Sequence, residues 1–403
     1  MDPASIGQDL AFDLNWPPSA VFGAGVANSL GDRAKAMGAT RALLVTDSGL
    51  KAVGLADRVA DILRASKVDV TVLAKVQPNP TMTEVSEGVS LLRNDGYDFL
   101  IALGGGSSID AAKVMSMQLL SGRSIEEIAE QGVDDVPGEP VGFIVLPTTA
   151  GTGSEATTGA LVKDASGRKY LVRSRRCRPA VSLLDPTLTV SVPPRMTAAT
   201  GFDAFVHAVG SFTNTVVNPV ADVCAQEAVR IISANLRRAV ENGGDMEART
   251  AMMLGSHLAG VAISMKGNDL IHGMSTAVES IITCTHGESL SAILPHVVRF
   301  NHEASAPRYA RLARVMGVNT DRLDDYDGAA AAIEQMISLR DDVGTARSLG
   351  DLGVQSEMVP QLVDLASKGR STLINCRVPD QHELKSLFET AIASRRASTT
   401  RGQ

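Results

Sequence analysis

One carboxylate and three imidazoles are the residues of this 403-residue sequence best suited to hold a metal ion. Asp203 and His207 are four residues apart, so a helix would project both side chains from one face. His272 and His286 follow in separate segments. A mixed nitrogen and oxygen ligand set suits Fe(II) or Zn(II) better than magnesium or calcium. The alternative is a helix-face Asp–His pair and two structural histidines, since the spacing alone is weak.

A glycine run forms a second cluster. The apolar segment 99–103 predicts a buried parallel strand, and Gly104, Gly105 and Gly106 follow it. Glycines let the backbone approach a ligand, and Ser107 or Ser108 could cap a helix whose free N–H groups bind anions. We therefore predict a phosphate cradle, with an ordinary glycine-rich turn as the alternative. The run matches neither a Walker A loop nor a G-x-G-x-x-G fingerprint.

The third cluster is the segment from Ile144 to Thr157. A short apolar strand again leads into glycines and small hydroxyl residues, which offer hydroxyls and backbone N–H groups to a polar ligand. Taken alone, this segment would also fit a plain loop followed by a capped helix.

Together the three clusters resemble the iron-containing, or group III, alcohol dehydrogenases, and the resemblance extends from Val21 to Asn375. So many ordered motifs are specific for the superfamily and much less specific for the substrate. The motifs are Val21-Phe-Gly23-Ala-Gly25, Gly104-Gly-Gly-Ser107-x-x-Asp110-x-x-Lys113, the loop from Pro147 to Glu155, Asp185-Pro186, Gly201-x-Asp203-Ala-x-x-His207-Ala, Asn218-Pro219, His272-Gly-Met, His286-Gly and Leu294-Pro-His296-Val-x-x-Phe-Asn301.

The resemblance implies roles for individual residues. It implies one divalent metal per subunit, iron rather than zinc as the first expectation, and NAD as the cofactor. Asp47 would lie near the adenosine ribose, where a carboxylate favours NAD over NADP, although it could also be a helix N-cap. The implied metal ligands are Asp203, His207, His272 and His286. The implied cofactor-binding residues are Asp47, Gly104, Gly105, Gly106, Ser107, Asp110, Thr148, Thr149, Thr152, Lys169 and Leu188.

The implied reaction moves a hydride between NAD(H) and an alcohol, aldehyde or ketone, while a metal polarises the substrate oxygen. Family members often carry a second histidine near the substrate, four residues after the first of the late pair, where this chain has Thr276. Threonine can relay a proton through water but does not titrate near pH 7. His207-Ala-Val-Gly210 likewise departs from the common His-Ala-x-Glu.

Arginines are dense in Arg173-Ser-Arg175-Arg176-Cys-Arg178. Arginine suits carboxylate, phosphonate or sulfonate groups, so an anionic substrate is one interpretation. In an extended segment Arg173 and Arg175 would share one face, and Arg176 and Arg178 the opposite one. The alternatives are a solvated basic loop, a subunit contact or a role beside the cofactor phosphates.

Composition narrows the remaining classes. The chain has 38 basic and 45 acidic residues and only 3% aromatics, which argues against nucleic acid or an anionic membrane as a partner. It has no stretch of 18 apolar residues and no signal-peptide pattern near its start. The four cysteines are far apart, so a reducing cytoplasm is the simplest setting. We expect a small-molecule substrate and a homodimer or higher homo-oligomer.

Two domains are predicted. Strand-like and helix-like runs alternate up to about residue 190, which predicts a parallel sheet with covering helices. Helical periodicity dominates afterwards, including 219–240, 247–265 and 328–347. We therefore predict an α/β dinucleotide-binding domain over 1–190 and an all-α, metal-binding domain over 191–403, with the site in the cleft between them. The polar end from residue 394 is predicted to be disordered.

Other functions fit the same fold. A hydroxyacid–oxoacid transhydrogenase would keep its cofactor between half-reactions. Maleylacetate reductase-like enzymes usually lack the complete ligand set. A dehydroquinate synthase-like enzyme needs another ligand spacing and a lysine-rich phosphate pocket. A non-catalytic NAD-binding regulator would have no need of intact ligands.

Overall fold

The computed structural model describes residues 11–14 and 16–394, and the structural statements that follow concern these residues. The predicted disorder of the C-terminal end falls on residues 395–403, outside the described part. The chain forms a parallel sheet with covering helices and then a helical region, which confirms the predicted fold class. The boundary near residue 190 stays a proposal, placed between the end of the last strand at Leu184 and a long helix that begins at Pro194.

The strands are β1 (Ser19–Phe22), β2 (Arg41–Thr46), β3 (Asp69–Ala74), β4 (Phe99–Gly104), β5 (Gly142–Pro147), β6 (Gly159–Lys163), β7 (Lys169–Arg173) and β8 (Val181–Leu184). The helices of the first half are α1 (Leu30–Ala36), α2 (Ser48–Ala52), α3 (Leu55–Ala65), α4 (Met82–Asn94), α5 (Gly106–Ser121) and α6 (Ile125–Gln131).

The helices of the second half are α7 (Pro194–Thr213), α8 (Pro219–Glu241), α9 (Met246–Lys266), α10 (Leu270–Glu279), α11 (His286–Asn301), α12 (Ala306–Val315), α13 (Asp325–Asp342), α14 (Val359–Ser367), α15 (Arg370–Leu373) and α16 (Gln381–Ala393). Short 3-10 turns cover Val26–Ser29, Ser154–Ala156, Pro186–Thr189, Glu303–Ser305 and Ser356–Met358. Among the described residues, none of the helices is both long enough and apolar enough to cross a membrane.

The six-stranded sheet is parallel, and its central strands β2, β4 and β5 are buried on both faces. Its order is β1-β8-β5-β4-β2-β3. On β4, Leu100 and Ala102 enter the core on one face, whereas Phe99, Ile101 and Leu103 enter the core on the other. This alternation explains the continuous apolar run, because both faces of a central parallel strand need apolar side chains.

The chain reverses its direction across the sheet between β2 and β4. From β2 it proceeds outward to β3, then returns to β4 on the other side and continues to β5. In open parallel sheets, ligands bind outside the carboxyl ends of the strands at such a reversal. Val45 of β2 is paired with Ala102 of β4, so Asp47 and Gly104, each two residues further along, lie side by side at this edge of the sheet.

Proline and asparagine set the starts of two long helices in the second half. α7 begins at Pro194, after Pro193, and α8 begins at Pro219 with Asn218 as its N-cap. The Asn218 side chain accepts a hydrogen bond of 3.1 Å from the backbone N–H of Ala221. Proline fits the first helical turn because its missing N–H would have no intrahelical partner there. The Asn218-Pro219 motif is therefore explained locally.

Two local expectations were wrong, and one element was not predicted. The unpredicted element is the antiparallel hairpin of strands β6 and β7. Ser107 and Ser108 lie inside the first turn of α5, whose N-cap is Gly105, so neither serine caps it. The predicted helix over 328–347 spans Asp325–Asp342, because Gly344 adopts a left-handed conformation with φ of 74° that the helix cannot continue through.

Gly153 brings the two halves into backbone contact, which generates a stability prediction. Its φ is +61°, and an added Cβ would lie 2.5 Å from the Cα of Gly260 on α9. Gly153→Ala should therefore add a steric cost of about 1–3 kcal/mol to the conformational cost of about 1–2 kcal/mol. Urea unfolding measures the sum.

Gly167→Ala is the matched control for this change. Gly167 has φ of +88°, and an added Cβ there would meet nothing within 4 Å. This control should incur the conformational cost alone. Equal losses of unfolding free energy in the two variants would contradict the close approach of Gly153 to α9.

Candidate active site

Three helices bring the four predicted ligands together. Asp203 and His207 lie one turn apart on α7, His272 lies in the first turn of α10, and His286 begins α11. The predicted i, i+4 geometry is therefore present. One side-chain nitrogen or oxygen from each of the four residues lies within 4.8 Å of the others. The distances from Asp203 Oδ1 are 3.4 Å to His207 Nε2, 3.6 Å to His272 Nε2 and 3.5 Å to His286 Nε2.

The donor set fits a divalent cation. Asp203 and His272 are buried, yet Asp203 Oδ1 and His272 Nε2 have no hydrogen-bond partner in the described structure. Buried polar atoms without a partner are unfavourable. A cation among these atoms would remove that cost, and nitrogen plus carboxylate ligands suit iron or zinc.

The pKa values of Asp203 and His207 are both lowered from their ordinary values. Burial opposes the charged form of Asp203, but the imidazoles of His207, His286 and His272 outweigh it and lower its pKa to about 2. Burial lowers the pKa of His207 to about 3, and the two other imidazoles add to this effect. Both groups are therefore in the unprotonated form that a metal ligand requires over the neutral pH range.

Glu279, at the last position of α10, was not among the residues predicted from the sequence. Its Oε1 lies 2.5 Å from His286 Nδ1, and its Oε2 lies 2.7 Å from Lys169 Nζ on β7. Burial opposes ionisation of Glu279, but His286 and Lys169 outweigh it and lower its pKa. Lys169, predicted from the resemblance to lie beside the cofactor, is thus linked through Glu279 to His286, one of the proposed ligands. A sequence signal existed, because His272 and Glu279 are seven residues apart on α10 and therefore share a helix face.

Thr276 lies one turn after His272 and is exposed. Its hydroxyl donates a hydrogen bond of 2.9 Å to the carbonyl of His272. The side chain therefore contacts its own helix in the position where the family often has a histidine. The role of Thr276 in proton exchange stays a prediction.

The glycine run and the third cluster meet at the carboxyl edge of the sheet. Gly104 is paired with Pro147, and Thr148 N–H donates a 3.0 Å hydrogen bond to the Gly104 carbonyl. An added Cβ would lie 3.2 Å from Thr149 Oγ1 at Gly105 and 2.7 Å from Thr152 Cγ2 at Gly106. The two loops are thus in contact, and side chains on these glycines would displace the threonines.

A buried lysine and an aspartate hold the third cluster against α5. Lys113 donates hydrogen bonds to the Ser154 carbonyl and to the Gly159 carbonyl, the latter at 2.8 Å. Asp110 accepts hydrogen bonds from the Ser154 hydroxyl and the backbone N–H of Leu161. Burial lowers the pKa of Lys113 to about 8, despite the opposing charges of Asp110 and Glu155. Asp110 was predicted to bind the cofactor, but both of its carboxylate oxygens accept hydrogen bonds from the protein itself.

Three further predicted cofactor residues lie in the same half. Asp47 caps α2 by accepting a 2.9 Å hydrogen bond from Leu50 N–H, so the N-cap alternative is present, and the carboxylate also lies at the chain reversal. Ser107 accepts a hydrogen bond from Asn79 N–H. Leu188 is buried in the core on one face of the sheet. Their contacts with a cofactor stay predictions.

The arginine segment is not extended, so the predicted alternation of faces was wrong. Strand β7 ends at Arg173, and residues 175–178 form bends. Arg175 pairs with Asp13, Arg176 donates to the carbonyls of Val136 and Gly138, and Arg178 donates to that of Trp16. Three of the four arginines therefore fasten neighbouring loops.

Comparison with known families agrees with this architecture. The family model for iron-containing alcohol dehydrogenase matches residues 17–186, and that for the C-terminal part of the Fe-containing alcohol dehydrogenase family matches residues 197–392. The chain belongs to the iron-containing alcohol dehydrogenase family. The resemblance inferred from the motifs and the prediction of an oxidoreductase are thereby confirmed.

Individual proteins cover nearly the whole chain. The NAD-dependent methanol dehydrogenase of Bacillus methanolicus is 35% identical over 377 residues, 93% of this chain and 98% of the relative. A crystal structure of 1,3-propanediol oxidoreductase has a TM-score of 0.91 at 33% identity, covering 95% of this chain and 100% of that one. The sulfoacetaldehyde reductase of Bifidobacterium kashiwanohense, solved in complex with NAD+, has a TM-score of 0.87 at 29% identity, covering 96% and 100%. The prediction of NAD agrees with the names of two of these proteins.

The assignment of the ligands generates a metal-binding prediction. His272→Ala removes a buried imidazole from the centre of the cluster and should lower the affinity for Fe(II) or Zn(II) by more than about tenfold. Metal content after equilibration at limiting free metal, measured by mass spectrometry, checks this result.

His302→Ala is the control for this prediction. His302 lies outside the cluster, and its Nε2 is 2.8 Å from the carbonyl of Tyr326. This variant should keep the metal content of the unmodified protein. Full occupancy in His272→Ala would remove His272 from the ligand set.

Proposed function

We propose that this protein is an NAD-dependent alcohol dehydrogenase, or in reverse an aldehyde or ketone reductase, that uses one divalent metal per subunit. The observation that carries the proposal is the largely buried group of one carboxylate and three imidazoles, in which Asp203 Oδ1 and His272 Nε2 are among four atoms without a hydrogen-bond partner in the described structure. Its membership of the iron-containing family favours Fe(II), and the same ligand set also accepts Zn(II). Relatives named for methanol and lactaldehyde support a small alcohol or carbonyl substrate.

The residues have distinct proposed tasks. Asp203, His207, His272 and His286 hold the metal, which, when bound, polarises the oxygen of the alcohol or carbonyl. The backbone of Gly104, Gly105 and Gly106, which opens helix α5, receives the cofactor diphosphate, because a helix N-terminus with small residues favours an anion. Thr148, Thr149 and Thr152 border that backbone.

Asp47 sets the proposed cofactor preference. Its carboxylate lies at the reversal of the chain, beside the glycine run, where the adenosine ribose of a dinucleotide is bound in open parallel sheets. A carboxylate accepts hydrogen bonds from a 2′-hydroxyl and repels a 2′-phosphate. The reaction should therefore use NAD(H) rather than NADP(H).

The direct test is an NAD-coupled assay of the Fe(II)- and Zn(II)-loaded protein with short alcohols. We expect turnover with NAD that is at least about tenfold more efficient than with NADP, since a single charge contact is worth about 1.5–3 kcal/mol. Asp47→Gly should narrow or reverse this ratio. Asp57→Asn, which neutralises an exposed aspartate that pairs with Lys51, should leave it unchanged.

Two outcomes of this assay would contradict the proposal. Equal efficiency with NAD and NADP in the unmodified enzyme would remove the role of Asp47. Metal-loaded protein that binds NADH but oxidises none of the alcohols, while reducing none of the matching aldehydes or ketones, would count against the dehydrogenase activity itself.

An anionic substrate is the finer proposal, and Arg173 is its basis. Arg173 lies on the same strand face as Lys169, since alternate residues of a strand share a face. Desolvation and the nearby positive charge of Arg370 lower the pKa of Arg173, although its side chain keeps access to solvent. Neither the Arg173 side chain nor the Arg370 side chain forms an ion pair or a hydrogen bond in the described structure. Two unpaired cations from opposite halves would attract an anionic group, and one structural relative is a sulfoacetaldehyde reductase.

Arg173→Gln tests the anionic substrate. Loss of one charge-assisted contact should lower kcat/KM for a sulfonate- or carboxylate-bearing alcohol by about tenfold to a hundredfold. The value for a neutral alcohol of equal length should change by less than about threefold. Arg175→Gln, which removes the arginine paired with Asp13, is the control. Similar effects of Arg173→Gln on both substrates would exclude anion recognition by Arg173.

The remaining expectations concern the setting of the enzyme. We propose a reducing, cytoplasmic location, and the four cysteines, all of them free, support this proposal. The homodimer or higher homo-oligomer predicted from the sequence stays a prediction.

A further inference from the structure

The carboxylate of Glu279 connects residues from both halves of the chain. Lys169 belongs to the β6–β7 hairpin of the first half, and His286 belongs to α11 of the second. The side chains of Lys169 and Glu279 are 12% and 9% exposed, so solvent screens their ion pair far less than it screens a surface pair. The carboxylate therefore binds both partners at once, one through each oxygen.

Two serine hydroxyls complete the environment of this carboxylate. Ser275 Oγ and Ser289 Oγ lie 2.9 Å and 3.0 Å from Glu279 Oε1, and 2.6 Å from each other. A buried carboxylate is tolerated when its lone pairs accept hydrogen bonds and its charge is paired. Glu279 meets both conditions, and its position is fixed by partners on α10, α11 and β7.

His286 needs such a partner more than the other proposed ligands do. Its side chain is 37% exposed, whereas those of Asp203, His207 and His272 are between 4% and 7% exposed. It is also the first residue of its helix. A hydrogen bond from Nδ1–H to Glu279 fixes which nitrogen carries the proton and leaves Nε2 facing Asp203. Packing alone gives this ring little restraint.

We propose that Glu279 is a positioning residue that holds His286 in the orientation a metal requires and, through Lys169, links that orientation to the cofactor-binding half. A carboxylate that accepts the second ring N–H of a ligating histidine orients the ring and raises its basicity. The additional feature is that the same carboxylate binds a lysine of the other half. Metal binding at His286 and cofactor binding in the cleft are therefore coupled. This inference rests on the proposed function.

A structural ion pair of the same kind exists elsewhere in the chain and provides the matched control. Asp222 accepts hydrogen bonds of 2.6 Å from Lys266, which is fully buried, and 2.6 Å from Arg308. This carboxylate pairs with a buried lysine and a second cation, as Glu279 does with Lys169 and His286. Within the described structure, Asp222 forms no hydrogen bond or ion pair with the four proposed ligands; its ion-pair partners are Lys266 and Arg308. Its replacement therefore reproduces the loss of a buried ion pair alone.

The test compares Glu279→Gln, Lys169→Met and Asp222→Asn with the unmodified protein. The Kd for Zn(II) is measured by chelator competition, the Kd for NADH by fluorescence with and without metal, and stability by thermal unfolding. Glu279→Gln should weaken metal binding by about 10- to 100-fold. Lys169→Met leaves the Glu279–His286 contact in place, so its metal affinity should change by less than about threefold.

The coupling between the two sites is the second readout. Metal should strengthen NADH binding in the unmodified protein by about fivefold or more. This factor should fall towards one in both Glu279→Gln and Lys169→Met. Asp222→Asn should lower the unfolding temperature while leaving the metal Kd and the coupling factor unchanged.

The outcomes separate this inference from the proposed function. Unmodified protein that binds neither Zn(II) nor NADH would overturn the proposed function and this inference with it. Unmodified protein that binds both, together with a Glu279→Gln variant that loses stability but keeps its metal Kd, would overturn the positioning role alone. If Glu279→Gln does not fold, an unchanged coupling factor in Lys169→Met overturns the link between the halves.

Discussion

Burial of the Asp203 carboxylate among three imidazoles is the constraint on which the second half depends. The ligand atoms can approach within 4.8 Å only if α7, α10 and α11 pack closely. A Cβ at Gly287 would lie 2.5 Å from the carbonyl oxygen of Ala199, and a Cβ at Gly273 would lie 2.3 Å from the hydroxyl of Thr372. His272 and His286 are thus each followed by a glycine because another segment of the protein occupies the space that a side chain would need. The two His-Gly motifs are therefore packing requirements of the helices that carry the proposed ligands.

The first half meets the same cluster through loops at the carboxyl edge of its sheet. The segment after β5 contacts the glycine run on one side and α9 on the other, where Gly153 lies against Gly260. Lys113 and Asp110 of α5 hold this segment in place through hydrogen bonds with Ser154. A shift of the segment would therefore alter the glycine cradle and the position of the helical half together. This shared loop is one reason for placing the reaction in the cleft between the halves.

Local patterns could predict much of the site, whereas contacts between distant segments could not. The spacing of Asp203 and His207 predicted a shared helix face, which α7 provides, and the change from apolar run to glycine predicted the turn between β4 and α5. The family resemblance added His272 and His286 to Asp203 and His207 as implied ligands. Glu279 was missed because its spacing from His272 shows only that the two share a helix face, whereas its lysine partner lies 110 residues away in the sequence. The bends after Arg173 were missed because the partners of these arginines lie in residues 13–16 and 134–138.

Helix α10 carries a neutral and an ionised side chain after His272, and their surroundings differ. Thr276, one turn after His272, is exposed and hydrogen-bonds to the helix backbone, whereas Glu279, two turns after it, is buried between His286 and Lys169. The ionised group on this helix is therefore committed to holding the cluster and does not face solvent. Because a threonine hydroxyl does not titrate near neutral pH, the role predicted for Thr276 is that of a proton relay and not of a titrating base. On the proposed roles, α10 would orient a metal ligand through Glu279 and exchange protons with solvent through Thr276.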